Sequence, residues 1–149
     1  GVFFADLDND GDQDVFEQMG GAFPGDGFSN ALYENPGFGN HWITVKLEGV
    51  RSNRSAIGAR IRAVVVDEDE GVRRSIYRHV NSGGSFGGNP LRQTIGLGKA
   101  SRIERLEVFW PTTGITQTFA DLPVDLVIHI VEDEESYSTL GLRTFELGS

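Results

Sequence analysis

Aspartate occupies every second position from residue 6 to residue 14, and this run constrains the fold more than any other feature of the chain. The five residues are Asp6, Asp8, Asp10, Asp12 and Asp14. Such a run is not an ordinary strand or helix face, because so many negative charges packed together are unfavourable in water unless a cation neutralises them. Ca²⁺ suits the run better than Mg²⁺, because it accepts about six to eight oxygen ligands in a flexible loop. The sequence therefore predicts a calcium-binding loop, with a solvated acidic turn as the alternative.

The segments on either side of this run distinguish two kinds of calcium loop. With Glu17, the sequence satisfies the EF-hand pattern D-x-[DN]-x-[DN]-G-x5-E, but an EF-hand needs a helix on each side of its loop. Residues 1–5 are rich in strand formers, and Gly20 and Gly21 would end an exiting helix after about one turn. We therefore predict a β-hairpin in which Glu17 is a strand residue. The predicted ligands are the side chains of Asp6, Asp8, Asp10 and Asp14 and the backbone carbonyl of Asp12.

The composition excludes several classes of protein. The chain has 149 residues, enough to bury a sizeable core in one domain, or in one domain with an appendage. Its 22 acidic and 13 basic side chains give a formal net charge of −9, which argues against nucleic acid or an anionic membrane surface as the main partner. The absence of cysteine excludes disulfides, thiolate catalysis and Cys-based zinc sites. No apolar run is long enough to span a bilayer.

The remainder of the chain predicts an all-β fold. Residues 42–47 alternate large apolar with polar side chains, as a half-buried strand does, and no segment shows a helical apolar period longer than two turns. Short strands separated by turns indicate an antiparallel β-sandwich-like domain that follows the calcium-loop hairpin. Further strands are expected at 59–66, 72–80, 92–97, 103–110, 116–119 and 127–131. The acidic segments 67–70 and 132–135 are interpreted as solubilising turns, with a second calcium site as the alternative.

Two parts of the chain resemble known families. The loop 6–14 and the segment 30–35 (NALYEN) resemble the end of an FG-GAP/VCBS repeat, a blade of extracellular β-propellers whose D-x-D-x-D-G-x-x-D loop holds calcium. From residue 40 onward, the chain resembles the ASPIC/UnbV domain of bacterial proteins and of cartilage acidic protein. The stretches that carry this second resemblance are 40–47 (NHWITVKL), 52–60 (SNRSAIGAR), 82–85 (SGGS), 96–100 (GLGKA) and 106–111 (LEVFWP).

The resemblance implies three regions. We expect a partial FG-GAP/VCBS repeat with the calcium loop at residues 1–39 and an ASPIC/UnbV-like β domain at residues 40–135. Residues 136–149 are expected to be a C-terminal tail or an extra strand. Because the chain begins inside a predicted strand, we expect it to be a piece of a longer or processed protein.

Several other motifs have a structural and a functional interpretation. His41, His79 and His129 lack a partner at metal-ligand spacing, and we expect each to be a strand residue with a local hydrogen bond. The glycine-rich segment 82–88 lacks the Lys-Ser/Thr of a phosphate-binding loop, so we interpret it as a β connection. No Ser-His-Asp order or nucleophile elbow is present. The chain is therefore predicted not to be an enzyme.

Two groups of side chains would bind a glycan if they were exposed. Trp42 and Trp110 would stack on sugar rings, but their apolar strand context favours packing in the core. Five arginines would lie together if the strands 59–66 and 72–80 pair, and there they would bind an acidic glycan or form a solvated sheet face, the interpretation that we favour. These arginines are Arg60, Arg62, Arg73, Arg74 and Arg78.

The sequence thus predicts a non-enzymatic calcium-binding β module of an exported or cell-surface protein, which acts in adhesion or extracellular binding. Its expected location is extracellular, cell-surface or periplasmic. The expected partners are calcium and an extracellular protein or glycan, without nucleic acid and without membrane insertion. Two alternatives remain open. One is a carbohydrate-binding module that uses Trp42 or Trp110, and the other is an accessory biosynthetic protein or enzyme of unidentified chemistry.

Overall fold

The computed structural model describes residues 1–67, 71–84 and 88–147, and all regular structure in these ranges is β. The chain forms two compact units, residues 1–38 with 142–149 and residues 39–141. No described segment forms a helix that is long and apolar enough to cross a membrane. The strands are β1 (Val2–Ala5), β2 (Asp14–Glu17), β3 (Ala31–Tyr33), β4 (His41–Glu48), β5 (Arg60–Val66), β6 (Arg73–His79), β7 (Gln93–Gly98), β8 (Arg102–Trp110), β9 (Ile115–Pro123), β10 (Leu126–Val131) and β11 (Ser138–Leu140).

The smaller unit is a three-stranded antiparallel sheet in the order β1-β2-β3. The predicted N-terminal hairpin is confirmed, since β1 and β2 pair in register from Val2–Glu17 to Ala5–Asp14. On one face of the sheet, the rings of Phe3 and Phe16 lie 4.9 Å apart between centroids. The aspartate-rich segment therefore joins two paired strands, and its two ends are held close together.

The larger unit consists of two four-stranded sheets, in the orders β11-β10-β4-β7 and β6-β5-β8-β9. One continuous apolar core contains side chains from both sheets, which confirms the predicted sandwich-like fold. The sheets are antiparallel with one exception: β10 lies parallel to β4. Alternation of apolar and polar residues shows which face of a strand is buried but not its direction, so the sequence did not reveal this pair. Beyond β11, residues from 142 onward belong to the smaller unit.

Strand β8 shows how the sequence pattern builds the core. Leu106, Val108 and Trp110 are fully buried at alternate positions, as a period of two requires. Ile103 breaks this period and is nevertheless fully buried, because the register with β5 shifts so that Glu104 is an extra, bulged residue. The bulge returns Ile103 to the core face of the strand.

The two tryptophans lie in different environments. Trp110 is fully buried, and its indole N–H donates a hydrogen bond to Oε1 of Gln117 on β9, which satisfies the one polar atom of the ring. Trp42 is half-buried. The preference for core packing is therefore confirmed in full for Trp110 only.

Glu132, directly after β10, corrects the expectation that the segment 132–135 is a solvated turn. Its side chain is buried, with 1% of the residue exposed. Oε2 accepts the backbone N–H groups of Val50, Arg51 and Ser52 at 2.9, 2.8 and 2.6 Å, and Oε1 accepts the Ser52 hydroxyl at 2.8 Å. One carboxylate thus organises the connection between β4 and β5. The predicted acidic tip at 67–70 and the glycine-rich connection at 82–88 lie partly outside the described residues.

The charge state of Glu132 should make folding depend on pH. Burial opposes its ionisation, but the hydrogen bonds from Ser52, Val50 and Arg51 outweigh burial and lower its pKa to about 2. A pKa lowered by folding stabilises the folded state above the pKa of the unfolded chain, and this stabilisation is lost as the pH falls through the folded value. We therefore expect the stability difference between the wild type and Glu132→Gln to be largest near pH 7 and to shrink between about pH 4.5 and pH 2. Urea unfolding at several pH values measures it.

Glu135→Gln is the control for this pH series, because Glu135 is exposed in the same acidic segment. Its difference from the wild type should stay small throughout. A constant difference between the wild type and Glu132→Gln down to pH 3 would contradict the role given to the ionised carboxylate.

Candidate metal centre

The loop between β1 and β2 is folded by its own side chains. The backbone N–H of Asp10 donates to Oδ1 of Asp8 at 3.1 Å, and that of Asp12 donates to Oδ1 of Asp10 at 3.0 Å. These are local turns of the kind that aspartate favours. Asn9 and Gly11 have φ values of 61° and 100°, in the left-handed region, and Gly11 adopts such a value without steric cost. Because local turns lie between successive aspartates, the backbone curves around the aspartate carboxylates.

Three carboxylates of the loop converge on one point. Asp6, Asp8 and Asp10 each offer an oxygen, and these oxygens lie within 4.8 Å of one another. Asp14 is buried at the start of β2, with 1% of the residue exposed, and its oxygens accept N–H groups at 3.0 Å from Leu7 and from the segment after β3. Asp14 therefore fixes the loop to the sheet, beside the cluster of three.

The electrostatics of the loop are unfavourable without a cation. Burial raises the pKa of Asp12 to about 6, and repulsion from Asp10, Asp14, Asp8 and Asp6 acts in the same direction. The pKa values of Asp6 and Asp8 are also raised, first by burial and then by neighbouring carboxylates. Among the described residues, Oδ1 of Asp6 and Oδ1 of Asp12 are buried without a hydrogen-bond partner. Unpaired buried oxygens around a repulsive cluster fit a hard cation such as Ca²⁺.

The carboxylate of Asp12 is a further candidate ligand, beside the predicted backbone carbonyl. The sequence predicts a ligand role for its backbone carbonyl. Oδ1 of its carboxylate is buried as well, and the carboxylate is repelled by all four other aspartates. A ligand set of five carboxylates is consistent with the burial of this side chain. The spacing alone gave no signal for it, because an aspartate at this position of a turn is usually solvated.

The C-terminal segment also contacts the loop, which the sequence did not predict. The backbone N–H of Phe145 donates to the carbonyl oxygen of Asp8 at 3.1 Å, and Nδ2 of Asn9 donates to the carbonyl oxygen of Arg143 at 3.1 Å. These bonds join residues more than 130 positions apart within the smaller unit. The loop is therefore held by β1, by β2 and by the end of the chain.

The EF-hand alternative does not fit this geometry. Glu17 lies on β2, where it is paired with Val2 on β1 and with Ala31 on β3. No helix flanks the loop within the described ranges. The interpretation of Glu17 as a strand residue is confirmed.

The three histidines all belong to the larger unit. Nδ1 of His41 lies 2.7 Å from Oδ2 of Asp125. Nε2 of His129 lies 3.2 Å from a Glu48 oxygen, which is within ion-pair distance, but the two atoms do not form a hydrogen bond. His79 is exposed on β6.

The five arginines do not form one cluster. Arg60, Arg62 and Arg73 lie on the outward face of the sheet. The two arginines of β5 alternate with its buried residues, and Arg73 is paired with a position on the same face of β5. Arg74 and Arg78 share the other face of β6 with Ile76, and their side chains donate to the carbonyl oxygens of Leu97 and Thr94 on β7. These two arginines join the edge strands of the two sheets. The spacing R-x-I-x-R was the available signal, since alternate positions of a strand share a face.

Comparison with known families matches the larger unit. The sequence model of the family described as ASPIC and UnbV matches residues 49–137, more than half of the chain. No curated protein matches the chain. The matched range contains β5 to β10 but not the aspartate loop. The ASPIC/UnbV resemblance is therefore confirmed over this range, and the FG-GAP/VCBS resemblance of residues 1–39 stays a prediction.

Proposed function

The chain belongs to the ASPIC and UnbV family, and from that premise we propose that it is a non-enzymatic, calcium-binding β module of an exported or cell-surface protein. The observation that carries the calcium proposal is the convergence of Asp6, Asp8 and Asp10. The buried and unpaired Oδ1 of Asp6 supports it further, because a buried carboxylate oxygen without a partner is costly unless a ligand or ion contacts it.

The mechanism that we propose is structural. The side chains of Asp6, Asp8, Asp10 and Asp14, together with Asp12, would hold the ion, and the ion would supply the positive charge that the loop lacks. The loop would then lose its internal repulsion, and the sheet of the smaller unit would gain stability by mass action, about 2.7 kcal/mol at a free calcium concentration 100-fold above the dissociation constant. Extracellular modules bind calcium at about 10⁻⁴–10⁻³ M, so the ion acts as a permanent part of the fold.

The carbohydrate-binding alternative depends on Trp42. Trp110 is fully buried in the core and has no face to offer a sugar, whereas Trp42 at the start of β4 is half-buried. In a Trp42→Phe variant, the remaining fluorescence of Trp110 should be blue-shifted and protected from a quencher. Loss of sugar binding in that variant would favour the alternative.

Calcium should raise the thermal stability of the chelator-treated protein by several degrees, because it neutralises a repulsive cluster. Addition of millimolar CaCl₂ is compared with MgCl₂, which should give little effect because Mg²⁺ demands a stricter octahedral geometry. Asp10→Ala should abolish the shift, because Asp10 belongs to the converging cluster. Thermal unfolding followed by circular dichroism measures it.

Glu17→Ala is the matched control, since it removes a carboxylate just outside the loop and should retain the calcium shift. Loss of the shift in Glu17→Ala would contradict the hairpin site. An equal shift in wild type and Asp10→Ala would contradict the assignment of the ligands.

A further inference from the structure

The outward face of the sheet β6-β5-β8-β9 combines arginines with aromatic rings. Strand pairing places His79, Arg60 and Phe109 in one row across β6, β5 and β8. The next row contains Tyr77, Arg62 and Glu107. Arg105 follows on β8, beside Val64. We call this surface the sheet-face patch, and its residues are Arg60, Arg62, Tyr77, His79, Arg105 and Phe109.

The sheet-face patch is positively charged on an acidic protein. Nη1 of Arg62 lies 3.2 Å from Oε2 of Glu107, and Nε of Arg105 lies 3.1 Å from the other oxygen of the same carboxylate. Among the described residues, no carboxylate forms an ion pair with Arg60. The patch therefore holds three guanidinium groups but only one carboxylate paired with them, on a chain whose formal net charge is −9. A local excess of positive charge against this background attracts anionic partners to one face.

The cations of the patch are fixed before any ligand arrives. The Arg60 guanidinium lies 4.4 Å from the centroid of the Phe109 ring, a stacking contact. Nε and Nη2 of Arg62 both donate to the hydroxyl of Ser75 at 3.1 Å. A ligand that binds these groups loses little additional side-chain entropy.

An exposed ring lies beside these cations. Tyr77 is 64% exposed, and the Arg62 guanidinium carbon lies 5.9 Å from the centroid of its ring. An aromatic face next to a fixed cation suits a sugar ring that carries an anionic group. Because adjacent strands lie about 4.8 Å apart, the patch spans about 10 Å from β6 to β8, which favours an extended ligand with repeated charges over a single ion.

We propose that the sheet-face patch binds a polysaccharide of uronic acids. The carboxylates lie on Arg60 and Arg62, whose planar forks match a carboxylate in two parallel hydrogen bonds, and a sugar ring lies on Tyr77. This inference rests on the extracellular binding role proposed above and names its ligand class. It involves only the larger unit and does not need the aspartate loop.

Calorimetric titration with oligogalacturonate tests the proposal. The wild type is titrated at low salt in buffer with EDTA, so that calcium does not bridge protein and ligand. Arg60→Gln and Tyr77→Ala should each weaken binding about tenfold, and higher salt should weaken binding to the wild type. Circular dichroism checks that both variants fold.

Arg102→Gln is the matched control, because Arg102 is an exposed arginine at the opposite end of β8, about 23 Å along the strand from Phe109. It should bind like the wild type. Equal weakening in Arg60→Gln and Arg102→Gln would mean that binding depends only on the net charge of the protein, and this would overturn the proposal.

Three further outcomes would overturn it. They are the absence of binding to oligogalacturonate, binding to dextran sulfate alone, and equally tight binding to polyglutamate, which would indicate an acidic protein partner. The calcium proposal fails separately, through the thermal shift of the wild type and Asp10→Ala. Oligogalacturonate binding in EDTA would persist in that case.

Discussion

Replacement of Glu132 with alanine should lower the free energy of unfolding by about 3–5 kcal/mol, because its buried hydrogen-bond partners lose the acceptor that they share. The backbone N–H groups of Val50, Arg51 and Ser52 converge on one oxygen, and the buried Ser52 hydroxyl donates to the other. Domains of this kind are stable by about 5–15 kcal/mol in total, so the loss is a large fraction. Urea unfolding followed by circular dichroism measures it as a lower midpoint at an unchanged slope.

Asp133→Asn is the control for this experiment, because asparagine tolerates the left-handed backbone at this position, where φ is 71°. Asp133 is the next residue and also binds the 50–52 segment, but through the exposed side chain of Arg51, at 2.7 and 2.5 Å. An exposed ion pair is screened by water and salt, so its removal should hardly change the midpoint. If Asp133→Asn and Glu132→Ala had equal effects, the buried carboxylate would not be what organises the β4–β5 connection.

The sequence predicted features that depend on neighbouring residues and missed those that join distant ones. The alternation that buries Leu106, Val108 and Trp110 identified β8 and its core face. Nothing local separates Glu132 from the acidic residues that follow it, because its three amide partners lie about 80 positions earlier. Burial of one carboxylate in an acidic run is decided by tertiary contacts.

The candidate site shows the same division. The spacing of the aspartates identified the loop and the hairpin, because both depend on local turns. The bonds from Arg143 and Phe145 to the loop depend on the path of the whole chain. Likewise, pairing of β5 with β6 was expected, but which arginines of β6 share a face with Arg60 and Arg62 required the register.

Replacement of Trp110 with alanine should cost about 3–5 kcal/mol of stability, because it removes a large, fully buried side chain from between two sheets. The cost also includes the loss of the hydrogen bond from the indole N–H. Gln117 accepts the indole N–H, and its own amide donates to the carbonyl oxygens of Val131 and Glu134 at 3.0 and 2.7 Å. Trp110 is therefore joined through Gln117 to the end of β10.

Trp110→Phe separates the loss of the hydrogen bond from the loss of the buried ring, and Trp42→Ala is the control. Trp110→Phe keeps an aromatic ring but leaves Gln117 without its donor, so we expect a loss of about 1–3 kcal/mol. Trp42→Ala should cost less than Trp110→Ala, because Trp42 is half-buried. Far-UV circular dichroism in urea is the measurement, since fluorescence changes with the tryptophans themselves. A greater loss in Trp42→Ala than in Trp110→Ala would contradict the placement of Trp110 in the core between the two sheets.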